Sequence, residues 1–327
     1  MAMKALEWLK RSIAAAGLFF CSQSADIPLP YGSSHDYQSR SFYEQVFFTQ
    51  KAQPPGEIIN AEALAYVGLP YALEERKRIA VVDVHRDLFA EISHGDYTSY
   101  ITEAALENEE VIRVDIGKYL IQNHCYEKLF AGRFVQCANG SVAEAVDEAV
   151  DAGPDVISLS IGVSWGSMLP VLREKGCEVN DIEYNIGKIG SGIRRGMEEG
   201  IVFVASAGNE RSESYLAYPA CIDGVLSSGA LKKKDDEWKI ASFSNRARET
   251  YFSPQAYHDI EGTSFSGPVL ASLIAVALAD KNCSYIPLDE ILQSAGKGIM
   301  DHGSYYRIPT VGEIKGICEL KAKSRSY

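Results

Sequence analysis

The sequence has no C-x-x-C pair, no apolar run of 18 residues and no basic stripe, and each absence removes a class of protein. Its seven cysteines (Cys21, Cys125, Cys137, Cys177, Cys221, Cys283 and Cys318) are scattered and odd in number. They are expected to be mostly free, partly buried thiols in a reducing compartment, with one or two disulfides as the alternative in a secreted chain. Without a long apolar run, no transmembrane span or stable membrane insertion is expected. Lys plus Arg total 32 against 44 for Asp plus Glu, a formal charge of −12 and a sequence pI near 5.1. A chain of that sign repels a phosphate backbone, so nucleic acid is not an expected partner. What is present suits a sizeable core: of 327 residues, 46% are hydrophobic and 23% charged.

The chain changes texture along its length. MAMKALEWLKR followed by SIAAAGLFFCSQSA weakly resembles an export signal, but also fits an amphipathic helix with Leu6, Leu9 and Ile13 near one face. A cytoplasmic location is expected, with secretion through that weak signal as the alternative. Residues 20–56 read as an irregular arm rich in Ser, Gln, Pro, Tyr and Gly. A short helix over 57–66 closes near Gly68-Leu69-Pro70.

From residue 78, strands and helices alternate. RIAVVDV and VIRVDIG read as buried strands. SVAEAVDEAVDAG reads as a helix capped by Ser141 with Glu144 three residues later, followed by the strand DVISLSIG. NIGKIGSGIRRGMEEG and IVFVASAGN repeat that unit, and VLSSGAL adds a strand. GTSFSGPVLASLIAVALAD is a long apolar helix with a Gly-Thr-Ser at its start, where Gly262 and Gly267 allow tight backbone packing and Pro268 sits in the first helical turn. Such alternation predicts a mostly parallel sheet flanked by helices, with functional residues at the carboxyl ends of the strands. The division expected is an arm over 1–70, a catalytic domain over 71–300 and a tail over 301–327, with GEIKGICELKAKSRSY as a frayed end.

Four short segments carry chemistry-bearing side chains: VVDVH, ISHGDYTSYI, SAGNE and GTSFSGP. Each has an ordinary reading alone. An Asp ending a strand caps a turn, Gly-Thr-Ser before a helix caps it, and Asn after Gly makes a turn. Together and in this order they resemble the subtilisin-like serine peptidases, over roughly residues 78–280. The resemblance implies the three-layer α/β fold of that family. It also implies serine endopeptidase activity on protein or peptide substrates, through a triad of Asp83, His94 and Ser264 with Asn209 in the oxyanion hole. By the same resemblance Ser160, Ile161 and Gly162 lie nearest the bound peptide, and Ala207 and Gly208 line part of the first specificity pocket. ASFSN matches a recurrent family stretch. No cofactor is implied, and no metal-ligand cluster is found; Asp235, Asp236 and Glu237 after three lysines read as a solvated charge run.

The chain departs from the family pattern in three places. Only ten residues separate Asp83 from His94, so the connection must turn back sharply, and Asp87 and Asp96 stand as fallback acids. HGDYTSY has Asp96 and Tyr97 where the family often has Thr and a second His, and His85 reads as a loop residue. An insertion after DVISLSIG carries Trp165, Met168, Leu169 and Leu172, which would either bind substrate at the mouth of the cleft or seal the domain. The competing functional reading is an inactive peptide-binding module on the same scaffold. A lipase-like enzyme would need G-x-S-x-G, and GTSFS lacks the second glycine.

Overall fold

The computed structural model describes residues 59–85, 93–125, 134–162, 179–247, 250–257 and 260–325. The N-terminal amphipathic segment, Asp87 and the insertion with Trp165, Met168, Leu169 and Leu172 lie outside them.

Among these residues the strands are β1 (Tyr71–Asp83), β2 (Leu106–Asp115), β3 (Val156–Leu159), β4 (Val202–Ser206), β5 (Leu226–Lys234), β6 (Glu237–Ile240), β7 (Thr250–Pro254), β8 (Lys297–Asp301) and β9 (Ser304–Ile308). They form one sheet in the order β2-β1-β3-β4-β5-β7-β9-β8, with β6 on β5. Pairing from β2 through β9 is parallel, and only β6 and β8 run antiparallel to their partners. The helices are α1 (Ala61–Tyr66), α2 (His94–Ala105), α3 (Ile116–Gln122), α4 (Phe134–Asp151), α5 (Val179–Glu198), α6 (Gly267–Ala279), α7 (Leu288–Ser294) and α8 (Val311–Ser324).

Strand side chains alternate between two cores. Ile79, Val156 and Val204 enter the core with α1, α2, α6, α7 and α8. Ala80, Val82, Ile157, Leu159, Phe203 and Ala205 enter the one with α3, α4 and α5. A period of two along strands covered on both faces gives the three-layer α/β architecture. Helix α6 is buried almost all round, which is why its sequence shows no polar face.

Some expectations need correction. Cys125 and Cys137 form a disulfide, as do Cys283 and Cys318, while Cys221 is free. Scatter along the sequence carried no information about which thiols the fold would bring together. Ser141 does not cap a helix: α4 begins at Phe134, and the Ser141 hydroxyl donates back to the Cys137 carbonyl (3.1 Å). A serine can satisfy backbone groups in either setting, so its presence did not fix the boundary. The expected frayed end is α8, capped by Thr310, with Ile314 and Cys318 buried in the core. Its apolar residues are too few to show a stripe, and the disulfide to Cys283 helps hold them inward.

Candidate active site

Asp83 is the last residue of β1, so its carboxylate stands at the carboxyl end of the sheet's interior, fully buried. His94 opens α2. Ser93 caps that helix, its hydroxyl accepting from the Asp96 N–H (3.1 Å) while the Asp96 carboxylate accepts from the Ser93 N–H (3.0 Å). This reciprocal cap fixes where the helix starts and hence where the imidazole points. The Gly95 N–H donates to the Val84 carbonyl (2.9 Å), clamping the two ends of the short connection. The result is a His94 Nδ1 only 2.8 Å from Asp83 Oδ2 and 2.9 Å from Oδ1. Both residues are excluded from water.

Asp96, the fallback acid, is spent on the cap and also faces Arg113 (3.4 Å) and His85 (3.7 Å). Burial would raise its pKa, but His85 and the Ser93 donors outweigh that and lower it. His85 is more than the expected loop residue. Its ring covers Gly95 so closely that a Cβ there would meet its Nδ1 at 2.8 Å, and its Nε2 sits 3.2 Å from the Val81 carbonyl. Burial pushes the His85 pKa down, but Asp96, Asp83 and the Val81 carbonyl together bring it above the ordinary value.

Ser264 lies in a 3-10 turn, Thr263–Phe265, that leads into α6, with Pro268 in the first helical turn as expected. The turn packs against α2, and the His94 and Phe265 rings lie 5.4 Å apart. The turn's carbonyls would be costly to bury bare. Serines from three strand ends, together with Ser266 at the start of α6, serve them. Ser160 donates to the Ser264 carbonyl (2.9 Å), Ser206 and Ser266 to that of Thr263 (3.1 and 2.9 Å), and Ser253 to that of Ser266 (2.8 Å). Ser228 closes the network with Ser253 and Ser266. The Ser264 hydroxyl is 3.3 Å from the Ser160 carbonyl.

Asn209 follows β4. Its Oδ1 accepts from both the N–H and the hydroxyl of Thr263 (3.0 Å each), which turns its Nδ2 the other way. That Nδ2 is buried and meets no hydrogen-bond partner among the described residues. Asn245, in ASFSN, pins the same loop. Its amide nitrogen donates to the Ala207 carbonyl (3.1 Å), and its oxygen accepts from the Glu210 and Ser212 N–H groups (2.9 Å each). Gly208 needs to be glycine: its φ is +105°, and a Cβ would come within 2.4 Å of Asn245 Nδ2. At Gly267 a Cβ would meet only ordinary contacts, so the tight packing expected there is not what selects glycine.

Of the remaining predicted residues, Ser160, Ile161 and Gly162 run on from β3, and Ala207 and Gly208 from β4. All are buried, Ser160 and Ala207 fully so. The Ala207 N–H pairs with the Ser228 carbonyl (2.9 Å), and the Ala217 N–H returns to Ala207 (2.8 Å). Thr98, Thr263 and Asn245 escaped sequence reasoning as contributors. Only the spacing of Thr98, four residues after His94 on a helix, could have signalled a shared face. No cluster of three or more His, Cys, Asp or Glu among the described residues could hold a metal ion, and no described helix is long and apolar enough to cross a membrane.

A mostly parallel three-layer sheet with a buried Asp–His pair at one strand end and a serine turn facing it defines a serine-peptidase-like architecture. Part of the chain is similar in sequence to the subtilisin-like (peptidase S8) family, and the whole described architecture shares the subtilisin-like fold. The model of the subtilase family matches residues 132–290, a span holding Asn209 and Ser264 but neither Asp83 nor His94. Halolysin from Haloferax mediterranei is 25% identical over 229 residues, covering 66% of this chain and 39% of halolysin. A thermophilic serine proteinase from Bacillus sp. (strain AK1) is 24% identical over 187 residues, 54% of this chain and 41% of that one. The chain thus spans about two fifths of the length of these relatives. The crystal structure of fervidolysin from Fervidobacterium pennivorans superposes with a TM-score of 0.53 at 18% identity, covering 77% of this chain and 45% of that one.

Proposed function

We propose that this protein is a serine endopeptidase in which Asp83, His94 and Ser264 form the catalytic triad and Asn209 donates to the oxyanion. The observation that carries this reading is the water-excluded His94–Asp83 contact beside the Ser264 turn. A serine hydroxyl attacks an amide only if a base takes its proton, and a neutral imidazole can do so and return the proton to the leaving amine. Asp83, holding Nδ1–H, leaves Nε2 as the basic nitrogen and offsets the charge the ring acquires. The Ser264 N–H and the Asn209 amide, turned by Thr263, are the donors for the negative oxygen of the tetrahedral intermediate. Peptide substrate would run along Ser160, Ile161 and Gly162, with Ala207 and Gly208 at the first side-chain pocket. The two disulfides fit an oxidising compartment and so support the secreted alternative over the cytoplasmic one.

The test exposes the purified chain to a fluorophosphonate probe and to a mixed peptide library, beside Ser264→Ala. Labelling and cleavage are expected for the native chain alone. Labelling that survives Ser264→Ala would remove the serine from the mechanism, and labelling without cleavage of any peptide would favour the binding module.

A further inference from the structure

We infer that Thr98 is a positioning residue of the same site, setting the plane of the Asp83 carboxylate through its hydroxyl; the inference rests on the triad proposed above. His94 Nδ1 is almost equidistant from the two Asp83 oxygens, at 2.9 and 2.8 Å. The imidazole therefore does not by itself decide how the carboxylate is rotated. Two other donors do, one on each oxygen. The Val84 N–H lies 2.7 Å from Oδ1, and the Thr98 hydroxyl 3.0 Å from Oδ2.

Thr98 follows His94 by one helical turn, so α2 presents imidazole and hydroxyl on one face towards the same acid. Both Thr98 and Asp83 are fully buried. The hydroxyl has a second acceptor in range, the Gly95 carbonyl at 3.1 Å. It has one proton to give, and the ionised oxygen is the stronger acceptor. The Gly95 carbonyl also sits where the helix's own i to i+4 bond serves it.

Among the described residues the electrostatic surroundings are few. Asp115 pairs with Asp83 in register on β2, and His85 stands beyond the end of β1. On the neighbouring strand β3 and on α6 the facing residues carry no charge. Removing the Thr98 hydroxyl leaves Oδ2 of Asp83 without this donor, so the carboxylate is freer to rotate and the imidazole it holds is less well aimed.

The test measures the rate constant of fluorophosphonate labelling against pH for the native chain, Thr98→Val, Thr98→Ser and Thr102→Val, with thermal melting of each. Thr98→Val keeps shape and loses the donor; a roughly tenfold slower reaction is expected, with a pH profile that differs from the native one. Thr98→Ser restores both. Thr102 is equally buried, and among the described residues its hydroxyl donates to the Thr98 carbonyl (3.4 Å) and not to Asp83, so Thr102→Val keeps the native pH profile whatever it does to melting. If Thr98→Val does not fold, Thr98→Ala provides the same loss with a smaller side chain. A native chain that labels while the folded valine or alanine variant keeps its rate and pH profile overturns the inference alone. A native chain that never labels overturns the triad and the inference with it.

Discussion

Ser264 sits in a turn whose carbonyls receive hydroxyls from Ser160, Ser206, Ser253 and Ser266, while Asp83 and His94 are held by a helix cap, one clamp, their contact with each other and the Val84 and Thr98 donors on the carboxylate. The first arrangement is neutral, redundant and spread over several strand ends. The second has few members, each tied to a particular atom. A neutral hydrogen bond contributes about 1 kcal/mol net, so the serine half gains rigidity by number. The acid half gains it from short hydrogen bonds to a buried carboxylate. The family-model match includes the serine half and stops short of the acid half.

The contrast is most easily broken at the acid. Asp83→Asn preserves the shape but leaves Nδ1 facing an amide; a fall of about ten-thousand-fold in peptide hydrolysis is expected, with melting little altered. An enzyme indifferent to that change would need another acid. On the serine side, Asn209→Ala removes the proposed oxyanion donor and should lower kcat roughly 100- to 1000-fold while KM stays nearly constant.

Stability sharpens the comparison further. Cys283 follows α6 and is joined to Cys318 on α8. Replacing both by serine should cost about 3 kcal/mol in denaturant unfolding, and thiol titration of the native protein under denaturing conditions should rise after reduction. Redundancy can be probed within the hydroxyl network. Ser160 donates to the Ser264 carbonyl, whereas two serine hydroxyls, those of Ser266 and Ser206, share the Thr263 carbonyl. Ser160→Ala should therefore destabilise more than Ser206→Ala, within a range of about 1–3 kcal/mol for a buried group left bare. Equal losses would mean that the second donor does not compensate.

The smallest effect is expected at the edge of the acid half. His85 has a raised pKa, so its contribution to stability is complete below its ordinary value of 6.5 and is lost as pH rises through the folded value. Asp96 has a lowered pKa, so its contribution is present above 3.8 and is lost as pH falls through the folded value. His85→Gln should therefore destabilise most between those two pH values. The gap to the native chain should narrow in alkali, as followed by melting temperature against pH.

How much of this was legible in the sequence differs by element. The strands around Val81, Ile157 and Val204 announced themselves through apolar β-branched runs, and Pro268 marked the first turn of α6 through its missing N–H. Helix α8 did not, because its few buried residues are held by a disulfide and by contacts far away in the chain. The start of α4 was misplaced because Ser141 bonds backwards within a helix as readily as it caps one. Thr98, Thr263 and Asn245 were silent, since a polar residue's role depends on the group placed opposite it.

The sequence by itself determined the three-layer α/β class and the order Asp83, His94, Asn209, Ser264, because periodicity and local motifs are properties of neighbouring residues. Only the tertiary structure decided that ten residues suffice between Asp83 and His94, that four cysteines pair, and that Thr263 turns the Asn209 amide. Each of these depends on a distance across the sheet or between layers, and the order of residues along the chain does not contain it.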